Sequence, residues 1–277
     1  LYYFFSIKEK KNSYLFNHLN ISKNIDALKH QNKYPTIFIS LKDMKVPSME
    51  NQLLNFSSII ARLLDQFEDI LDYDIFNDRE KTLLNKYHMG IASKNELAES
   101  LLNISICLEK YYHQKVIILI DEYDVPLQSA YQNNYYDEMV DFLRSVFSSA
   151  LKTNDALEKG IMAGCLRISK ESIFTGLNNF KVYPITNVAF DEYFGFTDFE
   201  VKEILKYYHQ TGQYETVKTW YDGYHFGDVD IYCPWDVICF CEDHRESPDL
   251  APQNYWLNTS GNQIIRHFIE NMGSQSQ

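Results

Sequence analysis

Five consecutive apolar residues, Val116-Ile117-Ile118-Leu119-Ile120, are closed abruptly by two acids, Asp121 and Glu122, and this run constrains the fold more than any other part of the chain. A strand with one wet face alternates apolar and polar residues. An uninterrupted β-branched run needs cover on both faces, as in a parallel sheet flanked by helices. Helical patterning stands on either side of it. After Ser48, apolar residues recur at Leu53, Phe56, Ile60, Leu63, Leu64, Phe67 and Leu71, the spacing of an amphipathic helix with Ser48 as its cap. Ser93 and Glu96 have capping-box spacing, and Leu97, Leu101, Ile104 and Leu108 continue a stripe that leads into Val116. Met139, Phe142, Leu143, Val146, Phe147 and Ala150 predict a third helix over residues 136–151. Residues 34–41 and 160–166 read as further strands, the second buried, and residues 181–185 as an edge strand limited by Pro184. Strands alternating with helices of this length predict an α/β domain with a mainly parallel sheet.

From Phe190 the pattern changes, which divides the chain into an α/β domain over residues 1–189 and a smaller, mostly helical, lid-like unit over residues 190–277. Thr197 and Glu200 form a second capping box opening a helix to about Gln210, with Gly212 as its terminating glycine. Residues 220–224 read as a turn set in aromatics. Pro234 opens a helix through Cys241, and Thr259 or Ser260 caps a last one to Asn271.

Composition narrows the function classes. The formal charge is −12, from 38 acidic and 26 basic residues, which disfavours direct nucleic-acid binding through a broad basic face. No apolar run approaches the roughly 18 residues that span a bilayer, so no membrane association is expected. Five cysteines form neither a disulfide framework nor paired zinc spacing, which places the chain in a reducing, cytoplasmic compartment. Cys239, Cys241 and His244 are not expected to hold a metal, because residues two apart on a helix point to different faces. The start, Leu1 to Phe5, has neither the basic region nor the cleavage site of a signal peptide and reads as a helix cut into by an incomplete N-terminus.

The chemistry-bearing residues stand at the end of the apolar run. A parallel sheet presents its ligand at the carboxyl ends of its strands, where Asp121 and Glu122 are expected to lie. In a nucleotide hydrolase the first carboxylate would hold Mg²⁺ through water, and the second would take the proton of the attacking water. Asp124 adds a third carboxylate to that edge. The partner motif, G-x-x-x-x-G-K-[ST], whose amides and lysine cradle phosphates, is absent: none of the ten glycines precedes a lysine. An E-x-K nuclease element at Glu200-Val201-Lys202 falls in a predicted helix and is set aside.

Several segments in order carry a resemblance: Ile120 to Leu127, Leu166 to Phe180, Phe194-Gly195-Phe196-Thr197, Trp220 to Tyr224, Tyr232 with Pro234-Trp235, and Tyr255-Trp256 with Asn258-Thr259-Ser260. Together they resemble the AAA-ATPase-like family of bacterial P-loop proteins, often fused to a PD-(D/E)XK nuclease-like domain. The resemblance implies a P-loop NTPase-like mainly parallel sheet flanked by helices, with ATP and Mg²⁺ as cofactors. It implies Asp121 and Glu122 as Walker B carboxylates and Arg167 as a residue facing the terminal phosphate. It also implies a Walker A loop upstream of Leu1. The alternative is a non-catalytic protein-interaction or regulatory module that has lost nucleotide binding, with a protein partner or self-association as its target.

Overall fold

The computed structural model describes residues 1–71, 74–165 and 180–256, and the chain divides into two units, Leu1–Phe180 and Lys181–Gln277. In the first unit, β1 (Thr36–Ser40), β2 (Val116–Asp121) and β3 (Leu157–Met162) pair in the order β1-β2-β3, and both pairings are parallel. The apolar run is thus the central strand. Its alternate residues serve two faces: Val116, Ile118 and Ile120 join the main core with Ile37 and Ile39, while Ile117 and Leu119 pack with Tyr34, Tyr2, Phe5 and Ile161. Each such residue, fully buried, contributes about 1.5–3 kcal/mol, which is why no polar residue interrupts the run.

β3 departs from expectation. It begins at Leu157 and stops at Met162, and among the described residues it is an edge strand, with Glu158 and Lys159 exposed and Gly160 to Met162 half-buried. Charges at the start of an edge strand discourage pairing with another chain; apolar composition alone had read the stretch as buried.

Two single-turn helices, α1 (Tyr2–Phe5) and α2 (Ile25–Leu28), precede β1. Between β1 and β2 run α3 (Met49–Asp65), α4 (Asp78–His88), α5 (Lys94–Ala98) and α6 (Ser100–Tyr112). Ser48 caps α3 by accepting the Asn51 N–H at 3.3 Å, and Ser93 and Glu96 form the reciprocal box that opens α5. The stripe from Leu97 to Leu108 is broken at Glu99, whose φ of −101° and ψ of 4° separate α5 from α6. Between β2 and β3 lie α7 (Val125–Gln132) and α8 (Tyr136–Leu151), the latter with the expected bounds. Phe56 of α3 and Phe142 of α8 meet edge to face at 5.3 Å inside the main core.

The second unit is mostly helical, with a small sheet that the periodicity did not announce. β4 (Phe196–Thr197), β5 (Asp222–Phe226) and β6 (Val229–Tyr232) pair antiparallel in the order β4-β6-β5. Residues 220–224, read as a turn, are therefore the end of a helix and the start of β5, and the reversal falls at Gly227, whose φ is +54°. α9 (Asp198–Tyr207), α10 (Tyr214–Tyr221) and α11 (Pro234–Glu246) supply Val201, Leu205, Val217, Tyr221, Val237, Phe240 and Cys241 to a core closed by Tyr232. The Thr197–Glu200 box is present, but the left-handed residue after α9 is His209 at φ +58°, and Gly212 sits in a 3₁₀ turn. Residues 181–185 form no strand: Pro184 donates no N–H, and its carbonyl accepts from Asn187 in a turn. The helix expected from Thr259 lies outside the described residues. Among the described residues no helix is long and apolar enough to cross a membrane, and all five cysteines are free thiols.

Candidate functional site

The carboxyl end of the sheet is organised around the exit of β2. Asp121 is its last residue, paired with Ser40 of β1, and its carbonyl accepts the Leu41 N–H at 3.0 Å. On the other side the Ala163 N–H donates to Ile120 and the Tyr123 N–H to Ala163, at 2.9 and 3.2 Å. The ladder therefore holds the acidic turn from both neighbours. The predicted placement of Asp121 and Glu122 at the end of a central parallel strand is what the backbone shows.

The turn itself is strained. Glu122 has φ +53°, a left-handed conformation that a side chain beyond glycine adopts at a cost, and its N–H donates to Asp121 Oδ1 at 3.0 Å. Both carboxylates are half-buried, and among the described residues neither forms an ion pair. Asp124, the N-cap of α7, is 1% exposed. Its oxygens accept from Gln128 Nε2 at 2.6 Å and from the Cys165 N–H at 3.3 Å, so this carboxylate ties the start of α7 to the chain leaving β3.

Gly164 makes that tie possible. A Cβ there would lie 2.5 Å from Asp124 Oδ1 and 2.7 Å from Tyr123 Cε1, so only a bare backbone fits. Partial burial and the negative charges of Asp124, Glu122 and Asp121 push the Cys165 thiol up from its ordinary value. Burial is the larger cause, and the carboxylates of the acidic turn add to it. Gly164, Gln128 and Cys165 were not singled out from sequence; the available signal was a glycine directly after an apolar strand.

The loop after β1 is fixed to the same helices. Ser129 Oγ donates to the Val46 carbonyl at 3.0 Å, the Tyr135 hydroxyl donates to the same oxygen, and Gln52 Nε2 donates to Met44 O at 3.0 Å and to Tyr135 at 2.9 Å. The loops after β1, β2 and β3 thus form one hydrogen-bonded rim. Arg167 lies outside the described residues, as do residues 166–179 and 258–260 of the resemblance. Among the described residues no group of three or more His, Cys, Asp or Glu side chains has the arrangement to hold a metal ion by itself. His244 instead places its ring nitrogens 2.9 Å from Phe240 O and 2.8 Å from Leu250 O, and Glu200 and Lys202 lie within α9 with Lys202 on Asp198.

Comparison with known proteins gives two findings. The family model described as "Predicted AAA-ATPase" matches residues 1–174. An uncharacterized protein encoded in the vnfD 5′ region of Azotobacter chroococcum mcd 1 is 26% identical over 148 residues, covering 53% of this chain and 27% of that protein. The chain thus matches about a quarter of that relative's length. No solved structure matches the chain.

Proposed function

The chain belongs to the family of predicted AAA-ATPases, and from that premise we propose that it is the carboxylate-bearing part of a module that binds and hydrolyses ATP. The observation that carries the reading is Glu122: a non-glycine residue in the left-handed region, beside a second carboxylate, where a central parallel strand turns into a helix. Strain of this kind costs about 1–3 kcal/mol and gathers at sites that use it. A turn needed only to end the strand would be met more cheaply by glycine.

The donor set fits a hydrated Mg²⁺. Asp121 stands at the sheet edge with Glu122 beside it, and among the described residues it forms no ion pair with a lysine or arginine. Mg²⁺ is commonly held by one or two carboxylates, with waters and phosphate oxygens supplying the remaining ligands. When bound, the ion neutralises charge on the phosphates. In this reading Asp121 would hold that ion through water. Glu122 accepts the proton of the water that attacks the γ-phosphate. Asp124 adds charge to the nucleotide edge and, through Gln128 and Cys165, holds the turn in place. Arg167 offsets negative charge in the transition state. The 277 residues contain no G-x-x-x-x-G-K-[ST] loop, so this reading assigns the grip on the phosphates to the intact parent protein rather than to these residues.

A fluorescent ATP analogue titrated with Mg²⁺ into this chain and into the full-length parent tests the reading. The parent is expected to bind, and this chain to bind at least about 100-fold more weakly, because the amides and lysine of the cradle supply most of the grip. If the parent binds no nucleotide, the non-catalytic interaction module replaces the ATPase.

A further inference from the structure

Among the described residues, the second unit carries a concentration of exposed apolar side chains outside its core. Within the thirteen residues from Val182 to Phe194, Val182, Tyr183, Ile185, Val188, Phe190, Tyr193 and Phe194 are all exposed, from 42% to 76%. Scattered exposed apolar residues are ordinary, but a contiguous run marks a surface that meets something. The aromatic members touch one another: Tyr183 and Phe190 meet edge to face at 4.9 Å, and Phe190 and Tyr193 at 6.1 Å.

The segment is pinned beneath rather than loose. The Gly227 N–H donates to the Ile185 carbonyl at 2.8 Å and the Asp228 N–H to Asp191 Oδ2 at 3.3 Å, so the strap is fastened across the β5–β6 turn. Gly227 permits the close approach, since a Cβ there would lie 2.5 Å from Asp191 Oδ2 and 2.8 Å from Val188 Cα. Phe190 has φ +71°, an outlier for a bulky residue. The fastening therefore holds an exposed aromatic in an unfavourable backbone conformation, and among the described residues Phe190 is not part of the unit's core.

We propose that the Val182–Phe194 strap is a protein-docking surface for a segment with apolar anchors flanked by lysine or arginine. Charge selects this occupant. Asp191 and Glu192 lie within the strap, and Asp228 and Asp230 stand on the turn and strand beside it, against Lys181, whose ammonium lies over the Tyr183 ring at 5.0 Å, and His225, which pairs with Asp230. A second copy would bring the same carboxylates face to face, in a chain already at −12. A basic segment meets them favourably while its apolar residues cover the rings.

The test uses the full 277-residue chain, a fluorescein-labelled amphipathic leucine/lysine 14-mer, and its leucine/glutamate counterpart, read by anisotropy. The leucine/lysine peptide is expected to bind and the leucine/glutamate peptide not to. Phe190→Gly removes the ring and also relieves the left-handed backbone, so its unfolding midpoint should hold or rise while peptide affinity falls at least tenfold. Tyr183→Ser with Tyr193→Ser should weaken binding by a similar factor. Equal binding by wild type and Phe190→Gly, or no binding by wild type, overturns the proposal. So does concentration-dependent dimerisation of wild type in sedimentation that Phe190→Gly abolishes, which would assign the surface to a second copy.

Discussion

Glu122 offers a way to separate backbone strain from charge repulsion at the sheet edge. Its φ of +53° costs a non-glycine residue about 1–2 kcal/mol, and glycine at the same position gives back about 0.5–1 kcal/mol through its larger freedom in the unfolded chain. The net gain expected for Glu122→Gly from the backbone alone is about 0.5–1 kcal/mol. Glu122→Gly also removes a charge from a cluster with Asp121 and Asp124, and so does Glu122→Gln, which keeps the strained backbone. The difference between the two variants therefore isolates strain. In a unit of about 180 residues it corresponds to a rise of about 1–4 °C in melting temperature. Far-UV circular dichroism melts, with hydrogen exchange of β2 amides to confirm which unit responds, would measure it. Equal midpoints for the two variants, or a Glu122→Gly protein less stable than Glu122→Gln, would refute the claim that the turn stores strain.

Three further outcomes follow from the geometry. Gly164→Ala drives a Cβ to 2.5 Å from Asp124 Oδ1; it should destabilise the first unit by about 1–3 kcal/mol, seen as an earlier urea midpoint by circular dichroism. Asp198 is pushed upward by partial burial, but hydrogen bonds from Lys202, Tyr214 and Tyr232 outweigh this and bring its carboxyl down to about 2. A depressed carboxylate contributes stability above its unfolded value near 4 and loses it as pH falls toward 2. Because the side chain is 40% exposed, Asp198→Ala should cost only about 1 kcal/mol at pH 7 and almost nothing at pH 2. All three tryptophans lie in the second unit, so their fluorescence follows this unit during urea unfolding. Finally, Asp124→Asn removes one of the charges that hold the Cys165 thiol up, so iodoacetamide should label Cys165 faster at pH 8 than in wild type, as read by peptide mass spectrometry.

What could be read from sequence was what local pattern encodes. Val116 to Ile120 had to be a doubly covered strand, and the Ser48, Ser93 and Thr197 caps each accept the backbone N–H that their spacing implies. α4 escaped because only Leu84 and Tyr87 of its eleven residues are buried, too few to write a stripe, although the Asn77–Glu80 capping box was available. The β5–β6 hairpin escaped for a different reason. Gly223 drew attention as a turn, while the alternation of Tyr224 and Phe226 against Val229 and Ile231 turns on Gly227. At the site, the acids were legible because composition and strand direction suffice to put them on the sheet edge. The strain at Glu122 and the need for a bare Gly164 were not, since both arise from how close the exits of β2 and β3 come.

Steady-state ATP hydrolysis by the full-length parent, wild type against Glu122→Gln, tests the central claim most directly. An amide keeps the size and the left-handed backbone of the residue but cannot take a proton. Turnover should therefore fall by about 10²–10⁴-fold while affinity for a fluorescent ATP analogue with Mg²⁺ stays within about threefold. Undiminished turnover in Glu122→Gln would contradict the account and leave the acidic pair as the structural end of a strand.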